Sequence, residues 1–212
     1  MILQAFRYAY EPFVFDKSRD KDSKETYAVT MKYFVIFTLL AFLVVVAYLD
    51  IIKYIIAPDY WEGLKVVPIV MVAEIMMGVY FNLSFWYKLT EQTIWGAVFS
   101  GIGCAVLLGV NVLFVPQYGY MACAWGGVAG YGTAMLLSYF VGQKKYPIAY
   151  PVKTMLGYVT LACVLFVAMK AVQECGMWIQ LAVNTALLVV FTAVVVKTEN
   201  FSLNKVLKKF KR

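Results

Sequence analysis

Three polar side chains near the start of the chain, Gln4, Arg7 and Glu11, are spaced three and four residues apart. On a helix that spacing brings them within about 60° of one another. A guanidinium grips phosphate oxygens in a fixed fork, and an amide beside it can bond hydroxyls. Two readings of the stripe stand. Arg7 and Glu11 can neutralise each other at i, i+4, or the stripe can face a water-filled cavity, as charges inside membranes usually do. Glu74 is the other informative residue, because Val72, Ala73, Ile75 and Met76 surround it. A carboxylate in such a run costs on the order of 2.5–3.5 kcal/mol to insert, so it must be protonated, paired or hydrated. Asn82 stands two turns further along, on roughly the same face, and Asn111 occupies the next apolar stretch. Either can bond a neighbouring helix or meet a ligand.

Other chemistry is excluded. Histidine is absent, which removes histidine triads, a histidine pH sensor and the usual zinc sites. The four cysteines, Cys104, Cys123, Cys163 and Cys175, have no CxxC spacing and read as small apolar residues. Asp50, Asp59 and Glu62 form the one carboxylate group in a loop, too spread out for metal or acid–base work. We expect no enzyme, no cofactor and no metal.

The elements that hold these residues follow from composition. Hydrophobic residues make up 63% of the 212 and charged ones 15%, with mean hydropathy +0.74, against roughly 45–50% and about 25% in soluble domains. A chain of this size cannot hide that much apolar surface from water. The fold class expected is an all-α membrane protein, because the runs are continuously apolar rather than alternating. Six stretches approach the roughly 20 residues that a bilayer core requires: 33–49, 66–87, 94–115, 121–141, 154–169 and 177–196. Asp22 and Glu25 resemble a capping box that starts the first helix near Thr26.

Fifteen of the nineteen Lys and Arg residues fall in loops on one side of these spans, against Lys53, Lys65 and Lys170 on the other. The rich side is cytoplasmic by the positive-inside rule, so the C-terminus is expected in the cytoplasm. The organisation expected is 1–15 as the remnant of a truncated transmembrane helix, 16–32 as a cytoplasmic loop and 33–141 as a four-helix core. Then come a cytoplasmic loop at 142–153, two further helices at 154–196 and a tail at 197–212. In that tail Leu203, Val206, Leu207 and Phe210 share one helical face among lysines, a pattern that lies on anionic membrane lipid rather than nucleic acid. Tyr54, Tyr60 and Trp61 in one loop, and Trp86, Tyr87 and Trp95 around the next, read as interface belts or, equally by sequence, as platforms on which sugars stack.

Small residues recur at every fourth position in two neighbouring stretches. One row is Ala97, Gly101, Ala105 and Gly109; the other is Ala122, Gly126, Gly130, Ala134 and Ser138. Such rows let helix backbones approach closely, and the short 116–120 connection makes the two helices antiparallel. We expect the two rows to face each other.

Five segments carry a family resemblance: QAFRYAYEPFVF (4–15), YWEGLKVVPIV (60–70), FNLSFWYKLTEQT (81–93), VPQYGYMACAWGG (115–127) and GQKKYPIAYPVK (142–153). They resemble the C-terminal half of bacterial polysaccharide flippases, the O-antigen and capsule repeat-unit transporters of the MOP superfamily, which is related to MATE exporters. The resemblance implies a bundle of six to seven transmembrane helices equivalent to the C-terminal lobe, with the N-terminal lobe missing from this sequence. It implies inner-membrane export of an undecaprenyl-diphosphate-linked oligosaccharide by two lobes rocking about a shared cavity, with a single lobe inactive alone. Arg7 would meet the diphosphate, Gln4 and Asn82 the sugar hydroxyls, and Glu11 and Glu74 would couple an ion or hold the arginine. Two other readings stand beside it: a fragment of a MATE-like drug or cation antiporter, and a non-transporting subunit that pairs with a separately encoded lobe.

Overall fold

The computed structural model describes residues 23–173 and 176–199, all of whose regular elements are helical. Helix α1 (Ser23–Ala47) leads through the short α2 (Leu49–Ile52) and two 3-10 segments (Lys53–Ile55, Pro58–Val66) into α3 (Val67–Leu83). The short α4 (Phe85–Leu89) follows, then α5 (Ile94–Tyr118), α6 (Tyr120–Lys145), α7 (Val152–Ala171) and α8 (Met177–Thr198). Segments Ser23–Ala47, Pro58–Leu89, Ile94–Tyr118, Val152–Ala171 and Met177–Thr198 are long and apolar enough to cross a membrane. The protein is thus an all-α bundle of multi-pass membrane type. At 1.5 Å per residue, a helix of about 25 residues outreaches the roughly 30 Å hydrocarbon core.

The expected sixth span, 121–141, lies in α6, a 26-residue helix less apolar than the other five. Its position explains the difference. α6 packs on α5 at one side and α3 at the other, and Gly126, Gly127, Gly130, Gly132 and Ala134 fill those contacts, so less of it needs an oily surface. α3 packs in turn on α1, which carries α7 and α8. Phe34, Leu39 and Leu43 of α1 interlock there with Ala162 and Leu165 of α7 and Leu188 and Phe191 of α8.

The α5–α6 pair corrects one expectation. Ala122, Gly126, Gly130, Ala134 and Ser138 are buried, but Ala97, Gly101, Ala105 and Gly109 all lie on the exposed side of α5. The face that meets α6 is displaced by two residues: Phe99 packs with Ala134, Gly103 and Leu107 meet Gly130, and Asn111 meets Gly126. Both rows repeat every four residues, so periodicity cannot separate them; the bulk of Phe99 fills the hollow that Ala134 leaves. A methyl built on Gly130 would sit 2.7 Å from the Gly103 carbonyl oxygen, and one on Gly103 2.8 Å from that of Gly130. Pro116 lies inside the last turn of α5 rather than in the connection. The reversal therefore falls on Gly119, whose φ of 55° is open to glycine at little cost.

Trp86 and Tyr87 also differ from expectation. They are 3% and 6% exposed and form an interior cluster with Tyr80 and Phe99, flanked by half-buried Trp95. Glycines make the room: a methyl on Gly142 would sit 2.8 Å from the Trp86 ring and one on Gly96 2.9 Å from that of Tyr87. The indole Nε1 of Trp86 donates to Ser138 Oγ at 3.4 Å. Tyr54 and Tyr60, by contrast, are exposed at the opposite end.

Candidate functional site

α3 is the central helix, and its sides have different neighbours. Ala73 and Met76 lie against Gly127 and Gly132 of α6, at 3.5 and 3.3 Å from methyls built there. Met71, Val72, Ile75 and Val79 pack on the cluster shared by α1, α7 and α8. Pro68 in the first turn suits the helix start, where no intrahelical acceptor is lost. What remains is a strip bearing Val70, Glu74 and Met77, with Val70 and Glu74 exposed and Met77 half-buried. Among the described residues no ion pair or hydrogen bond reaches Glu74. An unpaired carboxylate is thus displayed on the open face of an apolar helix.

Asn82 does not join it. Eight residues along a helix turn the face by about 80°, and Asn82 is buried at 7% exposure. Its Nδ2 donates to the Gly78 carbonyl at 3.0 Å while its Oδ1 stays buried and unpartnered. Asn111 Oδ1, beside Gly126, is likewise buried without a partner. Gln4, Arg7 and Glu11 fall outside the described residues, as do the capping Asp22, Cys175 and most of the basic tail. Cys104, Cys123 and Cys163 are free and exposed. Among the described residues no three acidic, cysteine or histidine side chains converge as metal ligands.

Two polar clusters were not foreseen from the sequence. At the lysine-rich end, Lys32 of α1 pairs with Glu199, just past α8, and Tyr158 of α7 donates to the same carboxylate at 2.9 Å. The side chains of Lys32 and Glu199 are 18% and 8% exposed, so the pair ties three helices together out of water. At the opposite end, Asp50 accepts from Lys53 at 3.0 Å and from Gln180 of α8 at 2.7 Å. Partial burial works to raise the Asp50 pKa, but the bonds from Gln180 and Lys53 outweigh it and hold the carboxyl below its usual value. The same bond raises the Lys53 pKa. One turn further along α8, Asn184 Nδ2 donates to the Ala47 carbonyl at 3.0 Å, filling one of the acceptors that the end of α1 leaves open. Asp59 and Glu62 do not join Asp50; Glu62 pairs with Lys65 at 3.7 Å. Sequence spacing could not find these partners, since Lys32 and Glu199 are 167 residues apart and Asp50 and Gln180 are 130 apart.

Comparison with protein families, with curated proteins and with solved structures returned no match.

Proposed function

We propose that the chain is one lobe of a two-lobe bacterial inner-membrane transporter that flips an undecaprenyl-diphosphate-linked oligosaccharide for surface polysaccharide assembly. The observation that carries this reading is Glu74, exposed and unpaired on the open strip of α3 among the described residues. Facing lipid, it would cost on the order of 2.5–3.5 kcal/mol, and a hydrated cavity or a facing protein surface removes that cost. A second lobe supplies both, and the five sequence segments that resemble polysaccharide flippases point to which second lobe. Alternating access requires two bodies, so the single lobe is inactive alone. In this reading Arg7 holds the diphosphate, with Gln4 and Glu11 beside it. Glu74 stands at the cavity wall, and inward-turned Asn82 plays no part in substrate contact.

The test is co-expression of the chain with the N-terminal lobe of a polysaccharide flippase in a strain lacking that transporter. Surface polysaccharide should appear only with both lobes and should be lost in Arg7→Ala at unchanged membrane abundance. Normal polysaccharide in that variant removes the role of Arg7. Resistance to cationic drugs in place of polysaccharide supports the antiporter reading. A stable pair with neither phenotype supports a non-transporting subunit.

A further inference from the structure

We propose that the lysine-rich end of the bundle binds the phosphate of an anionic membrane phospholipid, with Lys24 and Lys145 as donors above a floor of aromatic rings. The proposal rests on the membrane-spanning fold and is independent of the transport reading. Lys24, in the first turn of α1, holds its Nζ 4.2 Å from the centre of the Tyr146 ring and donates to the Pro147 carbonyl at 3.1 Å. Lys145, the last residue of α6, lies 4.6 Å from the centre of Trp95 and donates to Gln92 Oε1 at 2.9 Å. Lys88, from α4, stands 5.5 Å over Phe85. The rings form two buried clusters bridged by Tyr146: Tyr27 stacks on Phe85 at 6.4 Å, Trp86 meets Trp95 at 6.5 Å, and Tyr146 packs against both.

Ring and neutral oxygen together position each ammonium without cancelling its charge. An ammonium has three N–H donors, and one on each of Lys24 and Lys145 is committed to an uncharged oxygen. Neither meets a carboxylate among the described residues, and both are exposed. Exposed lysines ordinarily stay loosely held, because fixing a long side chain costs entropy that a surface pair barely returns. Here the positioning is done beforehand, on separate elements: Lys24 by Tyr146 and Pro147, and Lys145 by Trp95 and Gln92. Among the described residues, Glu25 and Glu91 are the exposed carboxylates of this end, one at the start of α1 and one in the turn before α5, against the exposed Lys24, Lys144, Lys145 and Lys153.

The site also lies where apolar helices end, which is where helices that cross a core of about 30 Å meet the headgroups. Beside Trp95, Ile94 and Val98 of α5 are 69% and 42% exposed and successive on one face. They offer an acyl chain a surface directly below the cations. A free phosphate would use the lysines and leave that surface empty, so the lipid is the better fit.

The experiment titrates the purified full chain in detergent with phosphatidylglycerol, phosphatidylcholine or inorganic phosphate, reading lipid retention by native mass spectrometry and the unfolding temperature. We expect phosphatidylglycerol to be retained in preference to phosphatidylcholine. Each of Lys24→Gln and Lys145→Gln should lower that preference about fivefold, and the pair about 25-fold. Lys53→Gln, at the opposite end, should leave it unchanged. Lys24→Arg with Lys145→Arg should keep it, which separates charge from folding. The proposal is overturned if the double glutamine variant keeps the preference, if Lys53→Gln loses as much, or if inorganic phosphate stabilises the chain as well as phosphatidylglycerol does.

Discussion

The displaced contact face of α5 can be tested by methyl groups placed on its two sides. At Gly130 an added methyl stands 2.7 Å from the Gly103 carbonyl oxygen and 2.8 Å from Leu107 Cβ, some 0.7 Å inside the 3.4 Å where ordinary contact begins. At Gly103 the nearest atoms are the Gly130 carbonyl at 2.8 Å and Ala134 Cβ at 3.1 Å. Backbone stands in the way at both sites, so no side chain can swing clear and the helices must separate. Overpacking of this kind costs about 1–3 kcal/mol, against about 1 kcal/mol returned because alanine favours helix over glycine. Gly103→Ala and Gly130→Ala should therefore come out destabilised by up to about 2 kcal/mol. Gly101 and Gly109 have nothing within 4 Å, so Gly101→Ala and Gly109→Ala keep the gain alone, about 0.5–1 kcal/mol. The opposed signs are the diagnostic. Unfolding by titration with a denaturing detergent, in otherwise identical micelles, measures both pairs. If Gly101→Ala weakened the protein while Gly103→Ala did not, α5 would have to be turned by about 200° and the packing described above would be wrong.

Two further outcomes follow from the polar ends of the bundle. Asp50 has a depressed pKa, so its stabilising bonds to Gln180 and Lys53 are fully present above the ordinary carboxylate value of about 3.9 and are lost as pH falls through the lower folded value. The unfolding temperature of the native chain should drop across that acid range more steeply than that of Asp50→Asn; parallel curves would show that the cluster carries no linkage. For the Lys32–Glu199 pair, removing one partner strands a charge with little exposure, at a cost of about 3 kcal/mol. Lys32→Met and Glu199→Gln should each unfold at lower detergent titre, and the double variant should recover part of the loss in a double-mutant cycle. Additive losses would mean that the two groups do not interact.

Helix class and the bounds of the last two helices were legible because they depend on local information. A run such as 177–196 is too apolar for water and too continuous for a strand, and the structure places α8 at Met177–Thr198. The burial of the Ala122 to Ser138 row was legible for the same reason. The orientation of α5 was not, because glycine content marks where a backbone can be approached without saying what approaches it. Trp86 misled in a similar way: tryptophan near a loop suits an interface, and its burial depends on Gly142, 56 positions later, leaving room for the indole. Glu74 was identified as costly from its neighbours alone. That it would be exposed while Asn82 was buried needed the positions of α1 and α6, which no local pattern contains.

The Lys32–Glu199 bond also sets an order of events during synthesis. α1 leaves the ribosome and enters the bilayer with a cation near its lysine-rich end, and the anion that answers it lies 167 residues later. At about 5–20 residues per second, that delay is on the order of 10–30 s. Through that interval the ammonium must stay near the headgroups, which keeps α1 from sinking or sliding along the membrane normal. When Glu199 arrives it closes a ring that joins the earliest of these helices to the latest. A chain stalled within α8 would therefore leave Lys32 of α1 and Tyr158 of α7 without the carboxylate that joins them.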